Sequence, residues 1–325
     1  MMRATASTSS RIGYFGKIPA RSDFVKVAED LPVLGMLDDW LAQVMTRLPN
    51  DARWKLYYDA SPPVSFAFVG PSRRHAIAGH LVASRDRSGR RFPFLMMRTV
   101  DVPDPEAFVS RCPLAFAPLW EFLGGMAPRV LDTMDPGPHL HAIADALVGL
   151  GDYDTQLGDF LAVATVSSLS AELELAANRL ILGLGLLLQP VMHSRPAALH
   201  KSLVLPLPRQ GDAAARSRVA AFWLELVTPF IRRTAFDLVL FVTTVAERPA
   251  LVIGFGGAAA ETLHGIVDPL AGREQQVQLA DDGWIDEQLG IDIDVRALAS
   301  YLEQPMLPLR LARELFLKTF IGAAT

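Results

Sequence analysis

Ala76-Ile-Ala-Gly-His-Leu-Val-Ala83, Ser84-Arg-Asp-Arg-Ser-Gly-Arg-Arg91 and Phe92-Pro-Phe-Leu-Met-Met-Arg-Thr-Val100 follow one another and read as strand, turn and strand. Both outer stretches are rich in β-formers, and Ser88-Gly89 supplies the positive φ that a tight connection demands. Upstream, Val64-Ser-Phe-Ala-Phe-Val69 alternates as a half-buried strand does, and Gly70-Pro71 closes it. Ile12 to Ile18 is a short apolar run between Arg11 and Pro19 and reads as a first strand. Between these strands Leu34, Leu37, Leu41, Val44, Met45 and Leu48 recur every three or four residues, which predicts an amphipathic helix ended by Pro49-Asn50-Asp51. Downstream, Asp104 and Pro105 are suited to cap and open another helix.

The pattern continues to the end of the chain. Asp135-Pro-Gly-Pro138 reads as a linker, because two prolines deny helix and ladder bonding there. Residues 139–151 and 170–189 read as helices, followed by a strand at 201–207, a helix at 213–231 and strands at 236–245 and 250–255. A helix at 258–270, a strand at 275–279 and a helical stretch after Asp294 complete the reading. Alternating strands and helices predict an α/β sandwich in each half, with a mixed sheet because 236–245 and 250–255 lie too close for a parallel crossover.

A chain of 325 residues, 50% hydrophobic and 20% charged, can bury a sizeable core, which excludes intrinsic disorder outside the ends. The Thr/Ser/Ala-rich residues 1–10 read as a disordered tail without the apolar stretch of a signal peptide. Lys and Arg number 31 against 35 Asp and Glu, which argues against nucleic-acid binding through bulk charge. The single cysteine, Cys112, can form no internal disulfide, so a reducing, cytoplasmic setting is expected. The greasiest segment, 180–190, carries two glycines and a proline, and is too short for a membrane span; it reads as a buried helix or core strand.

Motifs for chemistry are few. Gly254-Phe-Gly256-Gly257-Ala-Ala259 formally fits the dinucleotide fingerprint, with Asp281 or Asp282 as the acid expected about 20 residues on. Too little chain follows to complete a nucleotide domain, so a plain strand-to-helix turn is expected, with a small-ligand or nucleotide-binding role as the alternative. Gly16-Lys17 is no P-loop, since Ile18 stands where the magnesium-binding hydroxyl belongs. His139 and His141 are two apart, a spacing that diverges on a helix, and no metal or cofactor is expected. No nucleophile elbow occurs, and Cys112-Pro113 has no recognisable base beside it. What stands out is the basic cluster Arg73, Arg74, Arg85, Arg87, Arg90 and Arg91, with Asp86 its local counter-charge. It reads either as a solvated turn or as a docking surface for carboxylate or phosphate.

The first hundred residues resemble the TagF family of bacterial type VI secretion accessory proteins. Gly13-Tyr-Phe-Gly16-Lys17-Ile-Pro19 with Asp23-Phe24-Val25 is similar to the family's opening signature, and Asp38-Asp-Trp40-Leu41-Ala-Gln43 to its tryptophan-bearing helix. Trp54, Tyr58 and Pro62 fall at the spacing of a further element, and Ser84-Arg-Asp86-Arg87-Ser-Gly89-Arg90-Arg-Phe92-Pro93 resembles the family hairpin. Ser22 stands where the pattern has glycine, and a positive φ there would strain it. Leu238 to Thr244 and Pro249 to Gly254 are similar to the family's closing strands, without the paired tryptophans.

The resemblance implies a three-layer α/β/α sandwich, with residues 11–132 as its N-terminal domain. Residues 139–325 form either a further C-terminal α/β region or the completion of the same sandwich. It also implies a non-enzymatic, cytoplasmic negative regulator that acts after translation by binding the forkhead-associated scaffold Fha. On that reading Arg85, Arg90, Arg91, Lys17 and Arg21 are the candidate partner contacts. Gly16, Pro19, Asp23, Phe24, Trp40, Asp86, Arg87, Gly89, Phe92 and Pro93 form the structural motif. Asp86 and Arg87 are expected to turn inward and pair with Lys17 or Asp23, while Arg85, Arg90 and Arg91 face outward.

Overall fold

The structure, a computed structural model, describes residues 10–192, 200–231, 236–279 and 283–322. The chain opens with strands β1 (Gly13–Gly16) and β2 (Val25–Val27) and helices α1 (Leu31–Arg47) and α2 (Trp54–Asp59). Strands β3 (Val64–Val69), β4 (His75–Val82) and β5 (Phe94–Asp101) come next. Five helices follow, α3 (Pro105–Leu131), α4 (Gly137–Asp145), α5 (Tyr153–Val163), α6 (Val166–Leu173) and α7 (Ala177–Leu188). The remainder is β6 (Ser202–Pro206), α8 (Ala213–Ile231), β7 (Leu238–Val245), β8 (Arg248–Gly254), α9 (Ala260–Val267) and α10 (Pro269–Gln275), then β9 (Gln276–Gln278), α11 (Gly283–Ile291), α12 (Ile293–Leu302) and α13 (Leu309–Phe320).

Among the described residues the strands build one nine-stranded mixed sheet in the order β2-β1-β5-β4-β3-β7-β8-β6-β9. Only the β6–β9 pair is parallel. Strands from the two halves share this sheet, because β3 pairs antiparallel with β7 from Ser65↔Val242 to Val69↔Leu238. The expectation of a sandwich in each half is thereby corrected: β3 and β7 each satisfy their ladder groups against the other. Both sheet faces are apolar. Phe66, Ile77, Leu81, Val239, Phe241 and Val252 pack with α1 and α9 on one face. Ala67, Ala78, Met96, Leu240 and Ile253 pack on the other with a thicker layer around α3 and α8. This is the three-layer α/β/α arrangement, and alternation at period two places each residue set.

Local chemistry sets the element ends. Asp30 accepts from the Val33 N–H at 3.0 Å, so α1 starts three residues before the apolar periodicity does. Asp104 caps α3 as expected, accepting from the Ala107 N–H at 3.1 Å. The linker expected at Asp135-Pro-Gly-Pro138 is corrected: Gly137 and Pro138 are the first residues of α4, where a proline gives up no intrahelical bond, and Asp135 accepts from the Gly137 N–H at 3.3 Å. Three expected helices are corrected. The 139–151 helix ends at Asp145, where Ala146 turns extended. The 170–189 helix is two, broken at Glu174 with φ 54°. The 258–270 helix is also two, because Asp268 caps α10 through the Leu270 and Ala271 N–H groups. The greasy 180–190 segment is the buried helix α7 continuing to Leu188. Helices α5 and α11 were not expected from the sequence. Residues 1–9, most of the expected tail, lie outside the described residues.

Candidate functional site

The hairpin connecting β4 to β5 closes as a type I turn followed by a glycine. The Gly89 N–H donates to the Asp86 carbonyl at 2.9 Å, Gly89 has φ 80°, and the Asp86 N–H donates to the Arg90 carbonyl at 3.1 Å. The Asp86 side chain organises this turn. Its Oδ1 accepts from the Ser88 N–H at 2.9 Å and the Arg90 N–H at 3.0 Å. Its Oδ2 accepts from Arg90 Nε at 2.6 Å and lies 3.1 Å from Lys17 Nζ. Burial works to raise the Asp86 carboxyl pKa. The hydrogen bonds from the Arg90 N–H, the Lys17 ammonium and the Arg90 guanidinium outweigh it and hold the carboxyl well below the usual range.

The hairpin is fastened to the loop between β1 and β2 through three consecutive carbonyls. Arg87 donates from its guanidinium to the Ala20 carbonyl at 2.7 Å and from its backbone N–H to the Arg21 carbonyl at 2.8 Å. Arg90 donates to the Ser22 carbonyl at 2.7 Å. Beneath this seam Phe24 stacks on Phe15 at 5.2 Å and meets Phe92 edge-on at 5.0 Å, and Lys17 Nζ lies 5.1 Å from the centroid of the Phe24 ring. Gly16 makes the close approach possible. Its φ is 133°, and a Cβ there would sit 2.0 Å from the Pro93 carbonyl oxygen. Ser22 takes no positive φ, so the serine in place of glycine is not strained.

Helix α2 braces the other side of the hairpin. The buried Tyr58 hydroxyl donates to the Ser84 carbonyl at 3.0 Å and accepts from the Ser84 N–H at 3.0 Å, and burial pushes its phenol pKa up. Arg91 grips Asp59 with two bonds of 2.8 and 2.5 Å, its guanidinium 5.8 Å from the Trp54 ring centroid. The Arg91 hydrogen bond, with the charges of Arg91 and Arg85 adding to it against burial, holds the Asp59 carboxyl below its ordinary value. Between Pro19, Asp59, Ala83, Ser84, Arg85 and Leu131 at the end of α3 lies a hollow of about 270 Å³.

The expected division of the arginines is revised by this geometry. Asp86 turns inward to Lys17, as anticipated. Arg87 is bound to backbone carbonyls and not to a charge, and Asp23 accepts from the neighbouring Phe24 N–H at 2.8 Å. Arg90 and Arg91, expected to face outward for contact, hold Asp86 and Asp59, Arg90 staying largely exposed as it does so. Arg21 and Arg85 are exposed, and neither guanidinium has a hydrogen-bond or ion-pair partner among the described residues. Trp40 is core, stacked on Phe241 at 6.1 Å, and lies away from this surface. Asp59 and Ser84 belong to the site although sequence reasoning named neither as a candidate. Their signal was adjacency: Asp59 follows Tyr58, and Ser84 opens the arginine hairpin.

Gly254 ends β8, and a Cβ there would meet Thr262 Oγ1 at 2.5 Å, so the glycine turn is packed with protein. The Gly257 N–H donates to the Asp237 carbonyl at 2.6 Å. Asp281 and Asp282 lie outside the described residues. His139 and His141 stand in the first turns of α4, and Cys112 is buried in α3 with its thiol pKa pushed up by burial. Among the described residues no group of three or more His, Cys, Asp or Glu is arranged to hold a metal ion. No described helix is long and apolar enough to cross a membrane.

Residues 13–147 match the TagF N-terminal domain, described as type VI secretion system-associated. Over these residues the chain carries a TagF N-terminal domain. The match takes in β1 to α4 and every residue of the joined turns, and it makes the protein type VI secretion-associated. The strands at 238–254 that also resemble the family lie beyond it. The chain is similar to the crystal structure of PA0076 from Pseudomonas aeruginosa PAO1, with 21% identity and a TM-score of 0.35, over 43% of this chain and 64% of that one. Comparison with curated proteins gives no match.

Proposed function

We propose that this TagF-domain protein represses type VI secretion after translation by binding another polypeptide, the forkhead-associated scaffold Fha, without catalysing a reaction. The observation that supports this reading is the fastening of two polar turns into one cationic face on a chain of net charge −4. There Lys17, Arg21, Arg85, Arg87, Arg90 and Arg91 stand against Asp23, Asp59 and Asp86. Such a field selects and steers an acidic partner. Lys17, Arg90 and Arg91 hold the frame, while Arg21 and Arg85 are the cations left to meet it.

The test presents the host's purified forkhead-associated protein to the immobilised chain. Capture by the wild type, and a loss of about tenfold or more in affinity in Arg21→Glu/Arg85→Glu at unchanged Tm, is the expected result. Failure of the wild type to retain that protein refutes the reading. Turnover of ester or phosphoester substrates by the pure chain would refute its non-catalytic part.

A further inference from the structure

We infer that the hollow beside Ser84 and Arg85 is a seat for a single carboxylate side chain of the partner, an inference that rests on the docking reading above. Two groups in its wall lack the interactions their chemistry calls for. Ser84 is only 9% exposed, and its Oγ is shielded from solvent with no hydrogen-bond partner. Buried hydroxyls are ordinarily paired, so this one is a donor awaiting an acceptor. The backbone of the same residue is already satisfied by Tyr58, which leaves the hydroxyl as its only unused polar group. The second group is the Arg85 guanidinium, a planar cation suited to carboxylate and without a partner among the described residues.

Charge decides which anion fits. The Asp59 carboxylate in the wall is matched by the bidentate Arg91, so Arg85 leaves one uncompensated positive charge. One carboxylate neutralises that charge. A phosphate dianion would leave an excess negative charge beside Asp59. The remaining wall, Pro19, Ala83 and Leu131, offers apolar surface to the methylenes of a glutamate. The seat is preformed: Tyr58 fixes Ser84, Asp86 fixes the turn, and three carbonyls of the first loop hold the hairpin in place. The ordering left for binding to impose is chiefly that of the exposed Arg85 side chain.

The test titrates the full chain with N-acetyl-glutamate N-methylamide, its glutamine analogue and N-acetyl-O-phosphoserine N-methylamide, following the Ser84 amide and the Arg85 Nε–H by NMR. Saturable shifts at both positions with the glutamate compound are expected. The glutamine analogue should give none, and the phosphoserine compound should bind no tighter. Arg85→Gln should weaken the glutamate compound about tenfold and Ser84→Ala about fivefold, each at unchanged Tm. Equal shifts with the glutamine analogue, tighter binding of the phosphoserine compound, or indifference to both variants overturns the seat. Because this titration needs no partner protein, its result stands apart from the capture experiment. Capture with no titration leaves docking without this seat, and titration with no capture leaves the seat without that partner.

Discussion

Tyr58→Phe removes one oxygen and tests the brace that sets the hairpin. That oxygen donates to the Ser84 carbonyl and accepts from the Ser84 N–H, both at 3.0 Å, and Tyr58 is only 2% exposed. Its raised pKa keeps the phenol protonated at neutral pH, so both roles operate together. Without it the buried Ser84 N–H loses its partner, at a cost of about 1–3 kcal/mol, while the Ser84 carbonyl keeps the Phe92 N–H at 3.1 Å. With the carbonyl still paired, the expected loss is about 1–3 kcal/mol. Ring packing survives the change, since the contact with Trp54 at 6.3 Å does not involve the hydroxyl. Urea unfolding of both proteins at pH 7.5 measures the loss, with an unchanged slope showing that the native state is intact. Hydrogen exchange at the Ser84 amide reports the same event locally. A loss below about 0.5 kcal/mol, or undiminished protection at Ser84, would show that α2 does not hold the hairpin by this bond.

His80, buried on β4 beside Ser65 at 3.0 Å, has its pKa lowered from 6.5 to about 4 by burial. The unfolded chain takes up this proton more readily, so stability is complete above the ordinary histidine value and falls as pH drops toward 4. The loss is about 2 kcal/mol at pH 5, and a His80→Gln variant whose urea midpoint falls as steeply would refute the assignment. Gly16→Ala forces a side chain into φ 133° against the Pro93 carbonyl and should cost about 3 kcal/mol or more; an unaltered melting temperature would contradict that close approach. Asp86→Asn keeps an acceptor for the turn N–H groups and removes the charge facing Lys17, so it lowers Tm at pH 7.5. The lowered carboxyl pKa means this stabilisation is present above the ordinary carboxylate value and lost as pH falls through the folded one. The gap between wild type and variant should therefore close in acid, and a gap constant down to pH 3 would sink the pairing.

Elements carried by local signals were legible in the sequence. The 64–69 strand alternates, the 76–100 hairpin has its glycine at the positive-φ position, and Asp104-Pro105 announces α3. Breaks without a local signal were not. Glu174 adopts the left-handed conformation with no glycine to mark it, and the loop after Asp145 is held by distant groups, the Arg98 guanidinium on the Val148 carbonyl and the Gly151 N–H on the Ala115 carbonyl at 3.0 Å. Asp268-Pro269 was a readable cap that helical periodicity on either side concealed. The β3–β7 pairing joins residues far apart in the chain, and no periodicity encodes which strand lies beside which.

The same distinction governs the arginines and decides which experiments mean anything. Composition shows that the hairpin is basic, but whether a guanidinium faces solvent depends on which acceptors a neighbouring loop presents, and here that loop presents the carbonyls of Ala20, Arg21 and Ser22. Arg90 is the most natural target for charge reversal by sequence, yet Arg90→Glu would set a second carboxylate against Asp86 and release the Ser22 carbonyl. Arg91→Glu would do the same against Asp59. Either variant would lose a partner by loosening the frame, and a docking role could not be told from a structural one. Arg21 and Arg85 carry no such internal duty, so their reversal changes the field at the surface while leaving the seam intact. Affinity lost at Arg85 with Tm unchanged can come only from the contact itself. Affinity lost at Arg90 together with a fall in Tm is what the seam predicts.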